Sequence, residues 1–516
     1  MNECPSCGGS LRFDIPTQQL VCERCSSPYD PVSYDRAHAQ ESTAGQYEAN
    51  ILTCPNCGAE ILAADNSAAE YCSYCGSFVM LESRATRENA PEGIIPFRID
   101  KEQCKKIYSD RLRHHIFAPK ELRDPDYLNR FSGFYIPYWV FDVGFASDPV
   151  ITGTKSHREG DYIVEESFSV TGDLSAGLNG IVYDASSSFD DNISASVTPF
   201  KTEDMKPFTP SYLFGFYADT VDTDKDLYAD DAVELAEETA QRQILSQYAQ
   251  SLSVTECELG AHVSGTKQAL LPVWFLTWRK DDRVAYSVVN GETGKIYTEI
   301  PLDTRRFLIG ALILAVPLFL LLNILLTVTA MTTMLLASVF TLLGFLFYEA
   351  QIQTSADRKA NVGNRGAAGT VVKRSGMSSL MKLFRSTSAQ VLAFIAVSLL
   401  LLFLGFGSEN DYLGGFYPLP VIACTILLLW RILATKISAS ELHTPVLLPS
   451  AGSIVAAAAV TYVAIAAPPE DIWYYGASII AFAGTALTLI AAILHYNTGV
   501  TREVPNFFDK AKEERI

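Results

Sequence analysis

The sequence predicts a multidomain protein: two small β units at the N-terminus, an α+β domain in the middle and an α-helical region towards the C-terminus. Three observations carry that prediction. Eight of the eleven Cys fall in four CxxC pairs before residue 76. Residues 94–304 mix strand-like and helix-like apolar patterns. Residues 305–496 contain long apolar runs almost free of charge.

Cys4, Cys7, Cys22 and Cys25 have the spacing C-x2-C-x14-C-x2-C, and Cys54, Cys57, Cys72 and Cys75 repeat it 50 residues later. The flanks repeat too, "CPSCGGSL" against "CPNCGAEI". In each CPxCG, Pro fixes one φ and Gly tolerates the positive φ of a tight knuckle. Two knuckles on a short hairpin place four thiolates around one Zn2+ at about 2.3 Å. Two zinc ribbons, at 1–30 and 51–82, are therefore expected, each with a structural Cys4 zinc. Iron in the same ligand set is the chemical alternative. A redox CxxC needs one exposed low-pKa thiolate, usually after a βαβ strand, and no such pattern surrounds these pairs. Units this small bury too little core to fold without the metal. Four Cys fill all coordination positions, so no open site remains for catalysis, and the chain is expected not to be an enzyme.

The polar segments 31–50 and 83–93 read as linkers. Charge argues against nucleic acid. The net charge is −18, and residues 1–90 carry five Arg and no Lys against twelve Asp or Glu. Phosphate contacts need Lys and Arg. The acidity favours protein interaction, or a structural cap, as the ribbons' role.

Residues 94–304 read as one α+β domain. "GIIPFRI" predicts a strand, and "DKEQCKKIYSDRLRHHIF" a helix capped by Asp100. "GFYIPYWVFDVGF" and "ALLPVWFLTW" predict buried strands, and their shared apolar-Pro-x-Trp pattern suggests two related halves. A helix lies between them in "DKDLYADDAVELAEETAQRQILSQYAQSL", and a β-meander follows through "NGETGK". Cys104 is expected to be an ordinary helix residue, and the adjacent His114 and His115 face different ways. "GAHVSGTKQ" misses the phosphate-loop order, and no HExxH, GxSxG or EF-hand loop is present.

Six membrane spans are expected within 305–496, near 307–328, 331–348, 389–406, 416–434, 451–468 and 473–494, followed by a tail at 497–516. Basic residues fall in the flanks on one side of such a topology, including Arg305, Arg306, Lys373, Arg374, Arg431, Lys436 and Arg502; "GSENDYLGG" and "PPED" carry none. The start lacks a basic and apolar leader pattern. Both point to an integral protein of the bacterial cell membrane with cytoplasmic termini and reduced thiols. No charge is expected well inside a span, which argues against ion-coupled transport. Ala- and Gly-rich spans five and six look suited to close helix contact.

The order of ribbons, "IPFRIDKEQCKKIY", "FSGFYIPYWVFD", "PSYLFGFYAD" and "LLPVWFLTWRKDD" resembles a group of uncharacterised bacterial tandem zinc-ribbon membrane proteins over residues 1–304. Some of these carry labels borrowed from a primosomal replication-restart helicase. This sequence has no helicase motor motif to support that label. The expected function is that of a membrane-anchored zinc-ribbon adaptor or scaffold. Its partners would be the lipid bilayer and cytoplasmic or membrane proteins. A ribbon-regulated transporter or channel is the alternative, and nucleic-acid binding ranks third.

Overall fold

The computed structural model describes residues 2–508 apart from 39–45, 65–70, 79–81, 146–149, 160–161, 172–176, 249–252, 326–329, 362–417 and 441–446. In the first unit, β1 (Leu11–Asp14), β2 (Gln19–Cys22) and β3 (Pro28–Tyr29) form an antiparallel sheet, and α1 (Pro31–His38) follows. The alternation in "LRFD" buries Leu11 and Phe13. Phe13 lies 5.2 Å from the Tyr212 ring, and its amide donates to the Phe214 carbonyl at 3.0 Å. Helix α1 occupies part of the expected linker, because buried Tyr34 packs on Phe214 at 6.1 Å.

The second unit is built into a larger sheet. β4 (Gln46–Thr53) pairs with β5 (Glu60–Ala63) and with β6 (Glu82–Asn89). Residues 46–50 and 83–89 thus lie in strands where tethers were expected. "ESRATREN" has no apolar face to signal a strand. As the last strand on the sheet path it pairs on one side only, and Arg84–Asn89 are nowhere buried.

The middle domain continues with β7 (Gly93–Ile94), α2 (Lys101–Arg113), the single turn α3 (Pro125–Leu128) and the long β8 (Ser132–Phe145). β9 (Val150–Glu159), β10 (Tyr162–Thr171), β11 (Gly177–Asp184), α4 (Asp191–Val197), β12 (Lys206–Pro207) and β13 (Tyr217–Ala218) follow. Then come α5 (Asp226–Tyr248), β14 (Ser253–Glu258), the long β15 (Ala261–Lys280), β16 (Arg283–Asn290) and β17 (Ile296–Thr298). The main path of the 12-stranded sheet runs β12-β7-β15-β8-β13-β5-β4-β6, while β10-β9-β14 form a separate sheet. The expected strand "GIIPFRI" is paired only at Gly93–Ile94 and then runs extended, its Ile95 amide donating to Leu270 at 3.0 Å. Helix α2 has the expected cap: Asp100 accepts from the Gln103 amide at 2.8 Å, and Gln103 returns the bond at 3.1 Å.

The two halves suggested by Pro-x-Trp are real and intertwined. β8 and β15 pair antiparallel along their length. The first part of β8 takes β13 as a parallel neighbour, and the corresponding part of β15 takes β7. Each short strand thus pairs with the long strand of the other half. On the far part, β8 pairs with β11 and β15 with β16. The change of neighbour falls at Pro137 and Pro272, which have no N–H to offer. Their carbonyls still accept, from Ala185 and from Gly291, both at 2.8 Å. Two residues on, the Trp139 indole donates to Thr223 and the Trp274 indole to Ile99, again both at 2.8 Å. Those carbonyls precede α5 and α2, so each indole fixes the entry to a helix.

The C-terminal region is helical: α6 (Thr304–Leu325), α7 (Ala330–Asn361), α8 (Pro418–Ser440), α9 (Leu447–Ala466) and α10 (Asp471–Val500). Among the described residues, two helical stretches are long and apolar enough to cross a membrane, Ala330–Glu349 and Asp471–Val500; Pro418–Leu433 and Ser450–Ala466 are shorter apolar stretches. The expected third span, 389–406, lies outside the described residues. The expectation of six spans is therefore corrected: among the described residues two helices, at the expected second and sixth spans, are long and apolar enough to cross. Arg431 lies inside α8 rather than in a following loop. It is nearly buried and pairs with Glu349 of α7 at 2.8 Å. The sequence reading missed this pair because each charge sits near the end of its apolar run. Helices α9 and α10 meet closely at Gly452 and Gly484, where a Cβ on Gly452 would lie 2.7 Å from the Gly484 carbonyl oxygen.

The bundle's ends are tied to the sheet. Asn497 of α10 exchanges hydrogen bonds with the Leu302 backbone at 2.7 and 2.8 Å. Beyond α10, β18 (Arg502–Glu503) pairs with β16 at Val284 and Arg283.

Candidate metal centres

Both Cys quartets assemble. In each, the four Sγ atoms lie within 4.8 Å of one another. Cys4 and Cys25 are 3.7 Å apart and Cys7 and Cys22 3.5 Å; Cys54 and Cys75 are 3.8 Å apart and Cys57 and Cys72 3.7 Å. A tetrahedron of sulfurs about 2.3 Å from a central ion has edges of about 3.8 Å. The donor set therefore fits one four-coordinate thiophilic ion per quartet, with no position left open.

The knuckles form as the sequence requires. Gly8 donates to Cys4 O at 2.9 Å, Gly58 to Cys54 O at 2.8 Å, Gly76 to Cys72 O at 2.8 Å and Ser26 to Cys22 O at 2.9 Å. All four closing residues have positive φ, +67°, +77°, +67° and +57°. Three are Gly; Ser26 bears the steric cost of a Cβ in that region. Backbone and side-chain donors also face the sulfurs. The Arg24 amide lies 3.4 Å from Cys22 Sγ, and Asn56 Nδ2 donates to Cys75 Sγ at 3.5 Å.

The thiols share protons unequally. The Tyr29 hydroxyl, 3.3 Å from Cys4 Sγ, leads in drawing that thiol down to about 6. In the second quartet a hydrogen bond with Cys57 draws Cys54 down to about 7, while Cys57 and Cys72 are pushed up by bonds with their Cys neighbours. Cys75 is pulled down, chiefly by Cys54.

The two centres differ in setting. In the first, Cys4 and Cys22 are buried, Cys7 is half-buried and Cys25 is exposed. In the second, all four Cys are buried. Four parts of the chain enclose it. Tyr74, inside the last knuckle, donates to buried Asp219, while its carbonyl accepts from the Tyr286 hydroxyl at 2.7 Å. From β15, Thr277 donates to the Ser73 carbonyl, and Arg279 bonds the Cys75 carbonyl at 3.3 Å and the Ser77 hydroxyl. From the C-terminal tail, the Phe507 amide donates to Cys57 O at 2.7 Å, and its ring lies 5.5 Å from Tyr74. A Cβ on Gly58 would stand 2.8 Å from the Phe508 amide nitrogen. Nothing in the Cys spacing signals this tail contact.

Of the residues singled out elsewhere, Cys104 is fully buried on α2 and belongs to the core, as its sequence context indicated. Cys424 is buried in the helical bundle.

The chain is similar to an uncharacterised protein of Bacillus subtilis (strain 168), YdjG, with 27% identity over 314 residues, covering 59% of this chain and 91% of the relative. No family model matches the chain. No solved structure matches it.

Proposed function

We propose that both quartets hold structural zinc and that the chain is a membrane-anchored adaptor, presenting its ribbons and α+β domain to other proteins at the inner face of the membrane. The observation that carries this is the closed four-sulfur geometry at both centres, whose edges suit zinc and leave no site for a substrate. An acidic N-terminal region argues for a protein partner over nucleic acid. The Lys and Arg in the flanks of the apolar region support cytoplasmic termini. The chain has no enzymatic role in this reading.

Two measurements test it. Full-length protein purified in detergent should carry two zinc per chain by elemental analysis. Crosslinking in intact cells should recover specific neighbours that disappear in a Cys4, Cys7, Cys22, Cys25→Ser variant. An unchanged neighbour set would sink the adaptor role.

A transport reading has one observation of its own. Ser338, Thr341, Cys424 and Thr425 line a cavity of about 10 Å³ among α7, α8 and α9, room for roughly one water. Solute flux in reconstituted vesicles, lost on Thr341→Leu, would favour it.

A further inference from the structure

We propose that the first centre is an exchangeable metal site and the second a permanent one, so that the chain carries a site responsive to free thiophilic divalent cations beside one that does not turn over. This rests on the reading of both quartets as zinc centres. Its ground is the difference in access.

Ligand exchange at a four-thiolate ion requires an incoming donor to reach the metal. As each new bond to the ion forms, a Zn–S bond breaks. The released thiolate takes a proton from water, and no oxidation state changes. At the first centre the path is short. Cys25 is exposed and Cys7 half-buried, and the side-chain contact on Cys25 outside the quartet is the Ser27 hydroxyl at 3.2 Å.

At the second centre no ligand is exposed, and each knuckle is covered by a different part of the chain. Phe507 and Phe508 lie over Cys54–Gly58. Thr277 and Arg279 lie over Cys72–Gly76, where a Cβ on Gly76 would meet both side chains at 3.2 Å. An incoming donor must wait for local opening that breaks these contacts.

Emptying the first centre has a structural consequence. A unit of this size depends on its ion to stay folded. Its Phe13 and Tyr34 cover Tyr212, Phe214 and Phe216 of the middle domain. Loss of that metal would uncover an aromatic surface while the second unit stays in the sheet.

The test uses full-length, zinc-loaded protein in detergent and the chelator 4-(2-pyridylazo)resorcinol. One zinc equivalent should leave quickly and the other at least roughly tenfold more slowly, since opening must break at least the Phe507–Cys57 and Tyr286–Tyr74 hydrogen bonds. A Cys4→Ser, Cys25→Ser double variant should keep one equivalent, released only in the slow phase. Phe507→Ala, which removes the ring 5.5 Å from Tyr74 and keeps all four Cys, should speed the slow phase and leave the fast one alone. A single phase for both equivalents, or a fast phase surviving the double substitution, overturns the proposal. A wild-type protein with no zinc refutes the zinc reading instead.

Discussion

Replacing Arg502 with Ala should loosen the C-terminal strand from the sheet at a measurable cost. Arg502 sits on β18 and reaches two carboxylates. Its Nη1 is 2.5 Å from Asp190, and Nη2 and Nε are 2.7 and 3.0 Å from Glu299 Oε1. Side-chain exposure is 27% for Arg502, 12% for Asp190 and 5% for Glu299, so the substitution leaves two largely buried carboxylates without their cation. Breaking a buried pair by removing one partner costs about 3–5 kcal/mol, and the partial exposure of Arg502 points to about 3. For a domain of this size that is about 6–12 °C in Tm. Burial raises the pKa of Glu299, and Arg502 opposes the rise. A carboxyl with a raised folded pKa costs stability when ionised, and the cost lifts as pH falls through that value. Without Arg502 the pKa climbs further, so the deficit should be largest near neutral pH and narrow towards the ordinary glutamate range. Thermal unfolding of full-length protein in detergent, followed by Trp fluorescence at pH 8 and pH 5, reads both effects. A loss below about 1 kcal/mol, or one that grows in acid, would refute the reasoning.

Ser26→Gly should stabilise the first ribbon by about 0.5–1 kcal/mol by removing a Cβ at φ +57°, seen as slower metal release from that centre; faster release would contradict it. Trp139→Phe and Trp274→Phe each delete one indole bond to a helix-leading carbonyl. Each should cost about 1–2 kcal/mol in chemical denaturation, and similar values are expected because the two sites are equivalent in the fold. Zinc binding to the metal-free second centre at pH 8 should release protons, chiefly from Cys57 and Cys72, and more of them as pH falls below about 7 and Cys54 also becomes protonated; a pH-stat titration that finds no release at pH 8 would contradict it.

The gathering of the eight Cys into two quartets was legible because CxxC spacing, with Gly after three of the four pairs, encodes the knuckle locally. Helices α2 and α5 were legible for the same reason: an Asp100 cap in one, an acidic start in the other. The duplicated Pro-x-Trp was visible too, but not its meaning. Pro137 and Pro272 matter because they face neighbours that change along the strand, a tertiary fact. Residues 83–89 were misread as a tether because a strand paired on one side and buried on neither face carries no apolar alternation. Arg431 was assigned to a flank because its partner Glu349 is 82 positions away and charge alone does not announce a pair. The docking of Phe507 on Cys57 is more distant still, and only the fold brings 507 to 57.

These distances bear on what each ribbon is free to do. The second centre is a junction. β4 and β6 put it in the sheet, Tyr74 plugs it into the middle domain through Asp219, and the tail leaving α10 closes over it. That tail is also held by Arg502 to Asp190 and Glu299, while Asn497 ties α10 to the segment leading into α6. A partner cannot take hold of Cys54–Gly58 without first lifting Phe507 and Phe508. The first ribbon meets the domain through Phe13, Tyr34 and Asp35 and keeps its outer knuckle, with Cys25, at the surface. The accessible knuckle is therefore the one in the first unit. The duplicated Cys motif therefore stands in two settings, one packed where the C-terminal tail meets the sheet and the other facing solvent.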